Sequence, residues 1–127
     1  MSYIQLLTKI KNASALHKET VRFPYSKLNE AVLTVLSTSE FIDSFEKKGK
    51  NPKKFFDIQL KYKNGQPAIQ DVKFVSTPSR RLYVKKDEIR PIRQGYGTSV
   101  VSTSQGIMTG KESRTKKIGG QILFNIW

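Results

Sequence analysis

The sequence predicts an α+β fold of two small α+β domains in series. The N-terminal one reads as helix–strand–helix plus antiparallel strands, and the C-terminal one as a small sheet with a short helix. Three observations predict this. Apolar residues recur at helical spacing in two early segments and alternate in most later ones. The pair Asn64-Gly65 lies between two strand-like runs, which is a hairpin signal. The stretch "STPSRR", with Pro78 and Ser79, interrupts the pattern and places a joint there, giving domains 1–77 and 78–127.

Ser2 and Gln5 fit a capping box, and Ile4, Leu6, Leu7, Ile10 and Ala13 follow it at near-helical spacing, so the first helix runs from about Ser2 to Leu16. Along it Lys9, Lys11 and Asn12 offer polar groups. In "TVRFPY", Val21, Phe23 and Tyr25 alternate with Arg22, a strand that Pro24 places at an edge or an end. Ser26 is a cap for a second helix whose apolar stripe is Leu28, Ala31, Val32, Val35 and Leu36. Phe41 to Glu46 reads as a strand and "KKGKNPKK" as a basic turn. Phe56, Ile58, Leu60 and Tyr62 alternate along the next strand, and "DVKFVS" is its returning partner, with Val72 and Phe74 inward. Beyond the joint, "RLYV" and "TSVVS" are strands and "TGKESRTKK" is a short helix. "GGQILFNIW" is a strand with Ile122, Phe124 and Ile126 on one face.

The 127 residues carry a formal charge of +13, from 23 Lys and Arg against 10 Asp and Glu. Such a surplus favours a polyanionic partner. There is no cysteine, hence no disulfide framework and no thiolate metal site. No apolar run is long enough to span a bilayer, and "MSYIQLLTKIKNAS" reads as a structural helix rather than a leader, so no membrane partner is expected. Catalysis is poorly supported. A serine nucleophile needs a base, and the one histidine, His17, sits at the end of the first helix. The G-x-S-x-G elbow is broken at both "GTSVV" and "STSQG", and no phosphate-cradling GxxxxGK[ST] occurs. The expectation is a protein that is not an enzyme, with no cofactor, no metal and no small-molecule substrate.

Basic residues cluster in three places. In "KKGKNPKK" a solvated hairpin tip and a phosphate contact are equally good readings. In "SRRLYVKKDEIRPIR", Arg80, Arg81, Lys85 and Lys86 flank Tyr83, beside Ser79; this combination suits phosphates and a stacked base, although a half-buried strand tyrosine fits too. The third, "GKESRTKK", contributes Lys111 and Arg114. Thr109 and Glu112 form a second capping box there, which puts Ser102, Thr103, Ser104 and Gln105 in the loop feeding a helix N-terminus. Hydroxyls at that place serve equally well as an ordinary polar turn or as donors and acceptors for an RNA minor groove or bulge.

A resemblance bears on that choice. "GTSVVSTSQGIMTGKESR", Gly97 to Arg114, resembles the signature of the bacterial-type small-subunit ribosomal protein S8 family, through Gly97, Val100, Val101, Ser102, Thr103, Gly106, Ile107, Met108 and Arg114. Ser113 stands where that pattern has Ala or Gly, and Gln121 where the Gly-Gly-Glu close has Glu. "LLTKIKNA" and "PSRRLYVKKDEI" are similar to other stretches of the family, so the likeness covers the whole chain. It implies a structural component of the small ribosomal subunit that binds the central domain of the small-subunit rRNA during assembly, in a cytoplasmic ribosome with an organellar one left open. The implied partners are that rRNA and neighbouring small-subunit ribosomal proteins. It implies that Ser102, Thr103 and Ser104 meet a distorted RNA helix, with Tyr83 and Gln121 near the same site. A second rRNA region would meet the N-terminal unit at Lys11 and Asn12. The alternative is a free regulator that recognises an rRNA-like hairpin in a messenger.

Overall fold

A computed structural model describes residues 3–50, 53–75 and 97–127, with the backbone alone of Tyr83 and Val84. The chain forms two compact units, Met1–Gln70 and Asp71–Trp127. Mixed helix and antiparallel sheet in both make the fold α+β. The joint expected at Pro78 and Ser79 lies outside the described residues, as does Ser2 of the expected first capping box.

In the first unit, α1 (Tyr3–Ala15) buries Leu6, Leu7, Ile10 and Ala13. It stops where His17 turns left-handed (φ 55°), and the Lys18 N–H returns to the Ala13 carbonyl at 3.1 Å. β1 (Thr20–Pro24) buries Val21 and Phe23 and exposes the residues between them. Ser26 caps α2 (Lys27–Thr38) by accepting the Asn29 N–H at 3.1 Å. The buried arc of α2 is Asn29, Val32, Leu33, Val35 and Leu36. The expected stripe is therefore rotated: Leu28 is exposed and Leu33 is fully covered. By helical angle position 28 falls between buried positions 32 and 35, so its exposure reflects its place in the first turn of the helix.

β2 (Ile42–Lys48) and β3 (Phe55–Leu60) complete an antiparallel sheet of order β1-β3-β2. Pro24 thus sits on an edge strand, the place where a missing N–H costs no ladder bond. Phe56, Ile58 and Leu60 turn to the helices, and Phe56 meets Tyr25 and Phe45 at ring separations of 5.4 and 5.9 Å. Asn64 and Gly65 both take positive φ (53° and 78°), the primed turn that their sequence signals. The strands they join are short, β4 (Tyr62–Lys63) and β5 (Gln66–Pro67). The expected return strand at Val72–Phe74 belongs elsewhere.

That segment is β6 (Val72–Phe74) of the second unit, where it pairs with β10 (Gly120–Ile126). The other strands there are β7 (Tyr83–Val84), β8 (Thr98–Thr103) and β9 (Gly106–Thr109), and the helix is α3 (Gly110–Thr115). Strand order is β6-β10-β8-β9, with β7 also on β10. Val100, Val101, Met108, Leu123, Phe124 and Ile126 are its core. β10 carries a bulge: Ile122 opposes Val101 while Phe124 opposes Val100, leaving Leu123 as the extra residue. Ile122 is thereby moved to the face opposite Phe124 and Ile126, and the single face expected for all three does not form. A period of two in the sequence cannot reveal such an insertion.

Candidate nucleic-acid interface

The hydroxyl-rich stretch is a hairpin, not a loop running into a helix. Thr103 and Gly106 close the β8–β9 ladder, and Ser104-Gln105 is the turn between them. Left-handed backbone falls on Gly106 (φ 113°) and on neither turn residue. A glycine after the turn closes hairpins of this kind. A Cβ there would meet no atom within 4 Å, so the requirement for glycine is conformational rather than steric.

The three hydroxyls differ in what they do. Thr103 Oγ1 accepts the Gln105 N–H at 3.1 Å and donates to the Gly106 carbonyl at 2.8 Å, so it builds the turn. Neither Ser102 nor Ser104 makes a side-chain hydrogen bond among the described residues. Ser102 is half-buried in the strand; Ser104 and Gln105 are exposed at the tip.

Strand register then brings separated sequence positions together. Gln121 lies opposite Ser102 on one side of β10 and opposite Tyr83 on the other, and Ser102 lies opposite Ile107. Positions 83, 121, 102 and 107 form one cross-strand row next to the hairpin tip. Gly120 permits it. A Cβ at Gly120 would sit 2.3 Å from the Ser102 carbonyl oxygen, so only glycine lets β10 enter the sheet there.

α3 is placed differently from the expectation. β9 intervenes between turn and helix, and at about 3.3 Å per residue four residues hold the tip roughly 13 Å from the helix start. Thr109 caps the helix itself by accepting the Glu112 N–H at 3.1 Å, and its hydroxyl lies 3.3 Å from the Glu112 carboxylate. With an acidic residue already in its first turn, this end is no anion site for the tip's ligand. Lys111 and Arg114 are exposed and three residues apart, hence on one side of α3. Ser113 is fully buried, and its hydroxyl donates to the Ile118 carbonyl. A residue larger than serine would not fit there, which accounts for the small residue in the sequence pattern.

Other positions read from the sequence fall elsewhere. Ser79, Arg80, Arg81, Lys85 and Lys86 lie outside the described residues, and Tyr83 is placed by its backbone register alone. Lys11 and Asn12 are exposed on α1 of the first unit. In "KKGKNPKK", Lys47 and Lys48 are strand residues held by Glu30 (3.3 Å) and Asp57 (2.9 Å), and Lys47 and Lys54 lie over Tyr25. The Asp57 hydrogen bond raises the Lys48 pKa above its ordinary value. His17 stacks on Tyr62 at 5.3 Å. Among the described residues no group of His, Asp or Glu could hold a metal ion, and no helix is long and apolar enough to cross a membrane. The family resemblance alone groups Tyr83 and Gln121 with Ser102; local spacing does not, because a strand partner is not encoded in it.

The described residues thus form a basic α+β chain with a hydroxyl-bearing hairpin beside the cross-strand row of Gln121 and Ser102. The family model described as ribosomal protein S8 matches residues 4–127. The small ribosomal subunit protein uS8 of Dictyoglomus thermophilum is 45% identical over 122 residues, covering 96% of this chain and 93% of that one. Its namesake in Bordetella avium is 42% identical over 118 residues, covering 93% and 90%. The one in Mycoplasmopsis agalactiae is 38% identical over 122 residues, covering 96% and 93%. The chain belongs to the ribosomal protein S8 family.

Proposed function

We propose that the chain is a structural constituent of the small ribosomal subunit that binds the central domain of the small-subunit rRNA directly and supports subunit assembly. The relatives named small ribosomal subunit protein support the ribosomal role, and with it a place in the ribosome of the cytoplasm beside other ribosomal proteins. The observation that carries direct RNA contact is the division of labour at the hairpin. Thr103 fixes the turn, and no described residue forms a hydrogen bond with the Ser102 or Ser104 hydroxyl beside it. Each can donate and accept, which suits 2′-hydroxyls and base edges in a wide RNA minor groove or bulge. Gln121 adds an amide in the same row, where a neutral donor–acceptor reads base edges without repelling phosphates. Lys111 and Arg114, with Arg80, Arg81, Lys85 and Lys86, supply the phosphate charge.

The test is binding of the purified chain to a fragment of the rRNA central domain. Affinity falls as salt rises. Ser104→Ala weakens the complex by about 1–3 kcal/mol, the cost of an unpaired buried polar group on the RNA side. Equal affinity for this fragment and for an unrelated hairpin would overturn the reading.

A further inference from the structure

The three described helices each end on a left-handed residue that is not glycine: His17 (φ 55°) after α1, Glu40 (φ 64°) after α2 and Lys117 (φ 57°) after α3. Each end closes the same way, with the following N–H reaching back five residues. Lys18 bonds the Ala13 carbonyl, Phe41 the Leu36 carbonyl and Ile118 the Ser113 carbonyl, at 3.1, 2.9 and 3.0 Å. A residue with a Cβ is strained in that conformation, so something has to hold it. After α1 the holder is Tyr62, whose ring stacks on His17 and whose hydroxyl donates to the Lys18 carbonyl at 2.5 Å. After α2 the Glu40 carboxylate lies 3.8 Å from the Lys61 ammonium. After α3 the Ser113 hydroxyl donates to the Ile118 carbonyl, the same position of the turn that Tyr62 braces after α1. Ser113 and Ile118 are thus joined twice, once by an N–H and once by a hydroxyl.

The residues after Ile118 make that anchor matter. Gly119 and Gly120 come next, and two glycines in a row give the chain its widest choice of direction just where β10 begins. The entry nevertheless has to be close, because a Cβ at Gly120 would sit 2.3 Å from the Ser102 carbonyl oxygen. That approach sets Gln121 opposite Ser102. We infer that Ser113 is a positioning residue for this cross-strand row. Its hydroxyl holds the turn in which Lys117 is left-handed, and the held turn delivers β10 in the register that puts Gln121 beside Ser102. The inference rests on the rRNA-binding reading above and gives Ser113 no RNA contact of its own, since its side chain is fully buried. It makes Ser113 and Lys117 a coupled pair. A lysine at 117 needs the hydroxyl at 113, whereas a glycine at 117 takes the left-handed conformation without help.

The experiment is a double-mutant cycle on the whole chain with a fragment of the rRNA central domain. Ser113→Ala is expected to weaken binding about fivefold, the worth of one ordinary hydrogen bond. The slope of log affinity against log salt should stay the same, because no charge is lost. Amide hydrogen exchange should quicken at Gln121 and stay unchanged at Ile58 of the first unit. In a Lys117→Gly background, whose own affinity is the reference, Ser113→Ala is expected to cost less than about twofold and to leave exchange at Gln121 slow. An equal loss in the two backgrounds overturns the coupling, since the hydroxyl would then merely stabilise a helix end. Unchanged affinity or unchanged Gln121 exchange in Ser113→Ala overturns the positioning role. Should Ser113→Ala fail to fold, Ser113→Ala/Lys117→Gly is expected to fold and bind, and its failure to do so overturns the inference. No binding by the unaltered chain overturns the rRNA-binding reading, and exchange at Gln121 then still decides whether Ser113 sets the register.

Discussion

The two units use positive charge in opposite ways. In the first, lysines are drawn into the unit's own surface. Lys47 meets Glu30, Lys48 meets Asp57 and Glu46, Lys61 meets Glu40, and Arg22 lies 5.0 Å from the Phe55 ring centre. In the second, no described Lys or Arg meets a carboxylate, and Lys111 and Arg114 face solvent. A cluster that looks equally basic in the sequence is thus internal bracing in one unit and charge without a carboxylate partner among the described residues in the other. Exposed ion pairs contribute little to stability, about 0–1 kcal/mol each, so the bracing matters mainly because it withdraws charge from any outside partner.

The comparison is broken most forcefully through the cores. Phe56→Ala should cost about 3–5 kcal/mol, read as a lower urea midpoint, while rRNA affinity measured well below that midpoint stays near wild type. A large loss of affinity would show that RNA binding depends on the packing of this core. Gly120→Ala tests the other side. Its Cβ would collide with the Ser102 carbonyl, at a cost of about 1–3 kcal/mol in a thermal melt, and rRNA binding should fall with it because Ser102 and Gln121 are displaced together. Gly106→Ala should destabilise by about 1–2 kcal/mol through its left-handed backbone alone and should weaken binding at the hairpin tip. The charge contrast itself is tested by salt. Lys111→Ala or Arg114→Ala should each lower the slope of log affinity against log salt by about one, whereas Lys48→Ala should leave it unchanged.

The smallest effect is in pH. Lys48 has its pKa raised first by the hydrogen bond to Asp57, then by that carboxylate's charge. A raised folded pKa means that its contribution is fully present below the unfolded lysine value and is lost as pH climbs through the folded one. Denaturation of Lys48→Met compared with wild type should therefore show any difference throughout the neutral range, disappearing only in strong alkali.

Much of this was legible in the residues. Ser26 and Thr109 announce their helices because a cap is a local device, written within four residues. Asn64-Gly65 announces its turn for the same reason. What failed was non-local. Val72–Phe74 alternates like a return strand, yet nothing in its spacing says that its partner is some fifty residues onward, at Phe124–Ile126. Placing "STSQG" at a helix entrance overlooked β9, whose Gly106–Thr109 is too short to alternate visibly. The three adjacent hydroxyls could not be told apart, because only the hairpin geometry separates Thr103, which holds the turn, from Ser102 and Ser104 beside it.

The position of β10 has a consequence for the order of events during synthesis. β6, β7 and β8 all make their pairings with it, and it spans residues 120–126. The first unit's sheet is closed by residue 60, so that unit can assemble while the second is still being translated. The second holds only the β8–β9 hairpin and α3 until Gly120 and its successors emerge. The cross-strand row, which needs Gln121 beside Ser102, therefore comes into being after the first unit's sheet is closed.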